Sequence, residues 1–265
     1  MSPEGRPERS AEGRHGRTIE GPMKFESKPR VSLRTVTLRD VPALVALNRA
    51  AYPDLAEQEV VFTEAQIRAH TATFPRGQIV AEIDGVVVGA IATLILNPAM
   101  DPLQPHSWSQ ATGDGLFTTH DPAGDTLYLA DIYVDRAAWG RGVGTALYEA
   151  MRSLCRELVL ARIIAGGRLW GYHAVAHDRT PEAYIEDVVL GVRIDRVLSS
   201  QLKAGFVVRG VLPSYLPDPK SCDYASLLEW TNPGSGQPVC ATDGSAPTSL
   251  APIPSTEERR RGVTP

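Results

Sequence analysis

Residues 130–151 read ADIYVDRAAWGRGVGTALYEAM: an apolar strand-like run, a short polar link, a glycine-rich turn and the opening of a helix. The turn, WGRGVGTA at 139–146, holds three glycines within five residues. Such a backbone bends tightly and brings its N–H groups close to a bulky anion, and the helix that follows adds unsatisfied N–H groups and a favourable dipole. The pattern reads as a pyrophosphate cradle; the plain alternative is a glycine-rich connection with no ligand. It has neither the Lys-Ser/Thr of a P-loop nor the spacing of GxGxxG, and it follows a fourth strand instead of opening a βαβ unit. In the helix, Val143, Ala146, Leu147, Ala150, Met151, Leu154 and Leu158 recur at three- and four-residue steps, with Glu149, Arg152 and Arg156 on the other face.

On the N-terminal side, TLYLADIYV (126–134) reads as a strand, and GQIVAEI (77–83) and VVVGAIATLIL (86–96) as two more, joined at Asp84-Gly85, a strong hairpin signal. VSLRTVTL (31–38) alternates as a first strand, and Asp40 precedes a helix-like VPALVALNRAAY that stops before Pro53. TEAQ (63–66) is a capping box opening a second helix. On the C-terminal side come a short strand at 161–166, a helix near 195–204, and the strands FVVRGVL and YASLLEW. Stretches 97–125 and 167–193 read as long polar insertions, and connections of that length point to binding loops.

The 265 residues are 43% hydrophobic and 22% charged, enough for a sizeable core. Residues 1–30 and 231–265 are rich in Gly, Pro, Ser, Glu and Arg without apolar periodicity, so both are expected to be disordered tails around one domain at 31–230. Met23 is a candidate true start. With no bilayer-length apolar run and no signal-peptide centre, the expected compartment is the cytoplasm, with no membrane partner. Cys155, Cys222 and Cys240 form no CxxC or Cys/His cluster, so no metal is expected, and Cys155 reads as helix filler. Residues 31–230 hold 17 basic and 23 acidic side chains, net −6, which weighs against nucleic acid and toward a cationic small substrate.

The quoted signature resembles that of the GNAT acetyltransferase superfamily, a strand and short loop followed by Arg/Gln-x-x-Gly-x-Gly/Ala at a helix start. TGDGLFTTHDPAGDTLY (112–128), AGGRLWGYH (165–173) and FVVRGVLPSYLPD (206–218) resemble more narrowly the acetyltransferase portion of proteins fused to a carbon–nitrogen hydrolase, a second domain for which 265 residues are expected to leave no room. The resemblance implies an α/β fold with a mixed, mostly antiparallel twisted sheet flanked by helices, and a central strand that splays from its neighbour. It also implies acetyl-CoA as acyl donor, with Ile132, Tyr133 and Val134 beside the pantetheine arm and the N–H groups from Gly140 through Arg141, Gly142, Val143 and Gly144 to Thr145 around the pyrophosphate. The acceptor is then a small-molecule or peptide amine, and a homodimer is among the assemblies open to such a chain. Trp139 departs from the usual Arg or Gln and is expected to stack where a polar contact is lost.

An alkyl ammonium, with a pKa of about 10, must lose a proton before attacking a thioester. Asp131 is the candidate base or amine anchor, because a carboxylate within LADIYV is costly without a purpose; a structural salt bridge or cap is the alternative. Where the family often places a tyrosine to protonate the leaving thiolate, this chain has Gln201, which is no acid. Tyr215 or a water then serves, or the thiolate leaves unaided. His173 and His177 are weaker candidates. Gln201 also motivates a rival reading, a binding module that senses acyl-CoA without turnover.

Overall fold

Strands whose successive side chains serve two apolar layers organise the molecule, and the computed structural model describes them over residues 30–97 and 99–235. The expected tails lie outside the described residues, apart from Arg30 and 231–235. β1 (Val31–Thr35), β2 (Gln78–Ile83), β3 (Val86–Leu96), β4 (Thr126–Val134), β5 (Arg162–Arg168), β6 (Val207–Leu212) and β7 (Ala225–Thr231) form one sheet in the order β1-β2-β3-β4-β5-β7-β6. Only β4 and β5 run parallel. The β2–β3 turn has Asp84 and Gly85 at φ 52 and 76, the left-handed pair that a two-residue hairpin requires. Asn232, just past β7, is buried and donates to the Leu160 carbonyl, extending the packed region slightly beyond 230.

Helices cover both faces. α5 (Val143–Glu157) buries Val143, Leu147, Met151 and Leu154 in a layer with Ile91, Ile95, Leu127 and Leu129, joined by α6 (Pro181–Val189) and α7 (Arg196–Lys203). On the opposite face, α1 (Val41–Ala51) and α3 (Glu64–Thr73) pack Val41, Leu44 and Ile67 against Ala90, Leu94 and Tyr128. The TEAQ capping box forms as expected, with Thr63 accepting from the Gln66 N–H and Gln66 reaching back.

The sequence expectation needs correcting in four places. The first strand ends at Thr35 rather than 38, because Asp40 accepts from the Thr37 N–H and hydroxyl, both at 2.8 Å, and pairs with Arg34 at 2.7 Å, curling the chain into α1. Short helices α2 (Pro53–Glu57) and α4 (Trp108–Thr112) occupy what read as connections. The supposedly loop-rich 167–193 contains α6, capped by Thr180 and burying Tyr184, Ile185 and Val188.

Two irregularities of β4 shape the centre of the sheet. Its pairing with β5 stops at Leu129↔Ala165, so the two strands splay beyond that point. Its register with β3 also shifts, Ala92 facing Asp131 while Thr93 faces Leu129, which leaves Ala130 as the extra residue of a β-bulge. The bulge reverses the alternation: Leu127 and Leu129 point into the α5 layer, yet Tyr133 lies in the α1 layer with Tyr128 and Ala130. Without it Tyr133 and Asp131 would share the side of Leu129.

Leu147 is wholly buried at the centre of the α5 layer. Leu147→Ala is expected to cost about 2–5 kcal/mol through lost burial and a residual cavity, read as a lower denaturant midpoint with unchanged slope.

Candidate active site

β4 and β5 part over a cavity of about 1010 Å³. Asp131, Ile132, Tyr133 and Val134 line it from β4; Trp139, Gly140, Gly142, Val143, Gly144 and Thr145 from the glycine turn and first residues of α5; and Tyr215 from the loop after β6. Arg141 is exposed and stands off it, as do His173 and His177. Among the described residues, no group of three or more His, Cys, Asp or Glu side chains is placed to hold a metal ion.

The turn is built for close approach. Gly140 and Gly142 have φ 74 and 86, a conformation that disfavours any side chain. A Cβ at Gly140, Gly142 or Gly144 would meet nothing within 4 Å, so these glycines keep open space free. Gly142 caps α5 without a side-chain acceptor, and no acidic residue occupies the first turn. Among the described residues, no group accepts from the backbone N–H of Gly140, Gly142, Val143, Gly144 or Thr145. The residues carrying these five N–H groups line the cavity at the positive end of the α5 dipole, and Arg136, Arg152, Arg196 and Lys203 line it too. The Trp139 indole lies 4.8 Å from the Arg196 guanidinium, and its Nε1 donates to the Val134 carbonyl at 3.1 Å.

The Asp135 N–H bonds Val88 O, so the ladder turns odd-numbered residues of this end of β4 toward β3 and even-numbered backbone groups toward the gap. Their carbonyls all carry side-chain donors. Trp108 Nε1 reaches Ala130 O at 3.0 Å, Tyr52 Oη reaches Ile132 O at 2.6 Å, and Trp139 serves Val134.

The bulge aims Asp131 at α1. Asn48 Nδ2 donates to its Oδ2 at 2.7 Å, and Tyr52 Oη lies 2.9 Å from its Oδ1, one proton shared with Ile132 O. Asn48 is itself fixed, accepting from the Phe62 N–H at 2.9 Å. Burial lifts the Asp131 carboxyl to about 6, against the Tyr52 and Asn48 hydrogen bonds, the Ile132 N–H and the Arg168 charge, which all pull it down. Arg168, at the end of β5, pairs with Asp218 at 2.8 Å and Asp54 at 2.7 Å and lies over the Tyr52 ring. Sequence reading missed Asn48 and Tyr52; the available signal was a polar Asn48 on the same helical face as Leu44, one turn from Tyr52.

Tyr215 is buried, its hydroxyl 2.9 Å from that of Tyr128, and a Cβ on Gly166 would fall inside its ring, which is why β5 carries glycine there. Burial pushes its phenol above the ordinary range. Gln201 is buried on the cavity wall against Gly167, with no partner for its Oε1 among the described residues.

A model described as the acetyltransferase (GNAT) family matches residues 41–177. YkwB of Bacillus subtilis (strain 168), described as an uncharacterized N-acetyltransferase, is 36% identical over 210 residues, spanning 79% of this chain and 91% of that one. YhcX of the same organism, described as a probable hydrolase, is 34% identical over 211 residues, again 79% of this chain but 40% of that protein. Among solved structures, the GNAT-like decarboxylase GphF with isobutyryl-CoA superposes with TM-score 0.62 at 24% identity, covering 76% of this chain and 99% of that one. The loading GNATL domain of CurA from Lyngbya majuscula gives 0.64 at 21%, covering 77% and 98%. At these identities the two share the fold with this chain.

The raised Asp131 carboxyl has a consequence for stability. Its folded pKa, about 6, lies above the ordinary 3.8, so folding favours the protonated form and the protein loses stability as pH rises from about 4 through 6. Between pH 4.5 and 7.5 this amounts to about 2 kcal/mol. Unfolding titrations at both values should show Asp131→Asn gaining that much on the native protein; parallel behaviour would mean an unshifted carboxyl.

Proposed function

The chain belongs to the acetyltransferase (GNAT) family and is an acyl-coenzyme A-dependent acetyltransferase; on that premise we propose that it passes an acetyl group from acetyl-CoA to the nitrogen of an amine held beside Asp131, by direct attack on the thioester. The observation that carries this reading is the meeting, in one cavity, of five N–H groups without an acceptor among the described residues and a carboxyl raised to about 6.

In this reading the N–H groups of Gly140, Gly142, Val143, Gly144 and Thr145 hold the pyrophosphate, with Arg136, Arg152, Arg196 and Lys203 as screening cations. Arg141 is left out, since its N–H is bonded to the Ala138 carbonyl and its side chain is exposed. Backbone groups of Ile132 and Val134 meet the pantetheine arm, each capped carbonyl keeping a second lone pair for it, while Tyr133 sets the strand from the opposite layer. Trp139 walls the arm where the family's usual Arg or Gln would bond it.

The acceptor is a small-molecule or peptide amine, set between Asp131 and the Tyr52, Phe62, Trp108 and Leu216 side chains that line the cavity. Asp131 takes a proton from the ammonium; a base near 6 is mostly ionised at neutral pH yet stronger than an ordinary carboxylate. Tyr215 protonates the departing sulfur, the task that Gln201 cannot perform. A thiol of pKa roughly 8–9 leaves readily, so this second contribution is the smaller one.

Asp131→Asn should leave acetyl-CoA affinity within a few-fold and lower kcat/KM for the amine by about 100-fold. The acid limb near pH 6 should vanish, and the residual rate should climb toward pH 10 as free amine accumulates. Full activity in a folded variant would sink the base assignment. Acetyl-CoA binding with no thiol release across a panel of polyamines, amino acids, aminoglycosides and peptides would favour a non-catalytic sensor.

Gly144 has ordinary backbone angles and open space around it. Gly144→Val should therefore weaken acetyl-CoA binding at least about tenfold while leaving the melting temperature nearly unchanged. Calorimetric titration giving native affinity would remove α5 from the site.

A further inference from the structure

Behind Tyr215 runs a buried chain of hydrogen bonds that the reaction described above does not use. Tyr215 Oη lies 2.9 Å from Tyr128 Oη, Tyr128 Oη lies 3.2 Å from His106 Nε2, and His106 Nδ1 lies 2.8 Å from the Gln104 carbonyl oxygen. All three side chains are buried. His106 comes from the 97–125 insertion, which is latched to the site at two further points: Trp108 N–H donates to Tyr215 O at 2.8 Å, and Trp108 Nε1 to the bulge carbonyl of Ala130.

The chain has a direction. A carbonyl oxygen only accepts, so His106 carries its proton on Nδ1, and a neutral imidazole then offers a lone pair at Nε2. Tyr128 must donate to that nitrogen. Its oxygen is left to accept, so Tyr215 donates inward to Tyr128. The Tyr215 proton therefore points away from the cavity, and its oxygen, which also accepts from the Gly166 N–H, keeps lone-pair density for a group in the cavity it lines. In this resting arrangement Tyr215 can take a proton from a substrate but cannot give one.

We propose that Tyr215, Tyr128 and His106 form a proton relay that removes the second proton of the reacting amine, stores it on His106, and returns it to the leaving sulfur. This rests on the acetyl transfer and the Tyr215 assignment proposed above. Asp131 takes the first proton from the ammonium. Once the C–N bond has formed, the nitrogen still carries a surplus proton, which passes to Tyr215 Oη while the Tyr215 proton moves to Tyr128 and that of Tyr128 to His106 Nε2. His106 is then an imidazolium, held at Nδ1–H by the Gln104 carbonyl. As the C–S bond breaks and sulfur gains the electron pair, the three protons shift back and Tyr215 delivers one to sulfur. The products are the amide and the free thiol, and one proton remains on Asp131 for release to water. Burial disfavours the charged imidazole, which suits a store that must empty again.

The test is a double-mutant cycle on the full chain. Tyr215→Phe should lower kcat about tenfold or more with KM for acetyl-CoA unchanged. Tyr128→Phe keeps the Tyr215 hydroxyl and the packing but cuts the relay; it should lose as much, and the double variant no more than either single one. His106→Gln retains an acceptor for Tyr128 but no basic nitrogen. It should match Tyr128→Phe in kcat at an unchanged melting temperature. If Tyr128→Phe and His106→Gln keep kcat within about twofold while Tyr215→Phe loses tenfold, Tyr215 acts alone and the relay is wrong. If Tyr215→Phe itself is fully active, the Tyr215 assignment falls and the relay falls with it. Losses that multiply in the double variant would also overturn the relay, since independent effects are what it forbids.

Discussion

One surplus residue in β4 governs the rest of this site. With Ala130 bulged out, two neighbouring positions fall on the α1 side of the sheet, and the strand loses its partner on the β5 side at about the same level. Asp131 can then reach Asn48 and Tyr52 instead of the apolar layer under α5. The same bulge exposes the Ala130 carbonyl to Trp108, which places α4 and the insertion that carries it. Bulges cost pairing energy, so strands keep them where a side chain has to be re-aimed.

The cavity combines two opposite ways of dealing with charge. At the head of α5 the protein offers fixed dipoles and leaves them unsatisfied, a state tolerable because the turn faces solvent-accessible space. At Asp131 it does the reverse, enclosing a carboxyl and surrounding it with just enough donors to keep it ionisable near neutrality. Arg168 stands between these regimes. Its charge is absorbed by Asp54 and Asp218, so it holds β5, α2 and the loop after β6 together while exerting only a secondary pull on Asp131.

Much of this was legible in the chain because the governing rules are local. A two-residue Asp84-Gly85 turn, a Thr63–Gln66 capping box and an amphipathic run from Val143 each carry their geometry in a few neighbouring residues. The glycine turn is legible for the same reason, since positive φ at Gly140 and Gly142 is a demand on single residues. Asp131 stood out by being expensive where it was. The bulge did not, because TLYLADIYV alternates acceptably in either register and only the β3 partner decides between them. Asn48 and Tyr52 come from α1 and its C-cap, Tyr128 from β4 and His106 from the 97–125 insertion, and no spacing links these three segments. α6 was a different kind of miss: Thr180-Pro181-Glu182, with apolar residues at helical steps and Gly191 beyond, is a sufficient start and stop signal.

A strand that splays from its partner has, in effect, an open edge in the middle of a sheet. Exposed edges invite any passing strand to add itself, and they are among the commonest origins of aggregation. Here the outward carbonyls of β4 are already occupied by three side chains, the indoles of Trp108 and Trp139 and the phenol of Tyr52. A foreign backbone would have to displace all three rings at once, whereas a slender ligand can slip a single amide between them. The aromatic caps thus let the protein keep a gap in its sheet without becoming a template for its own association.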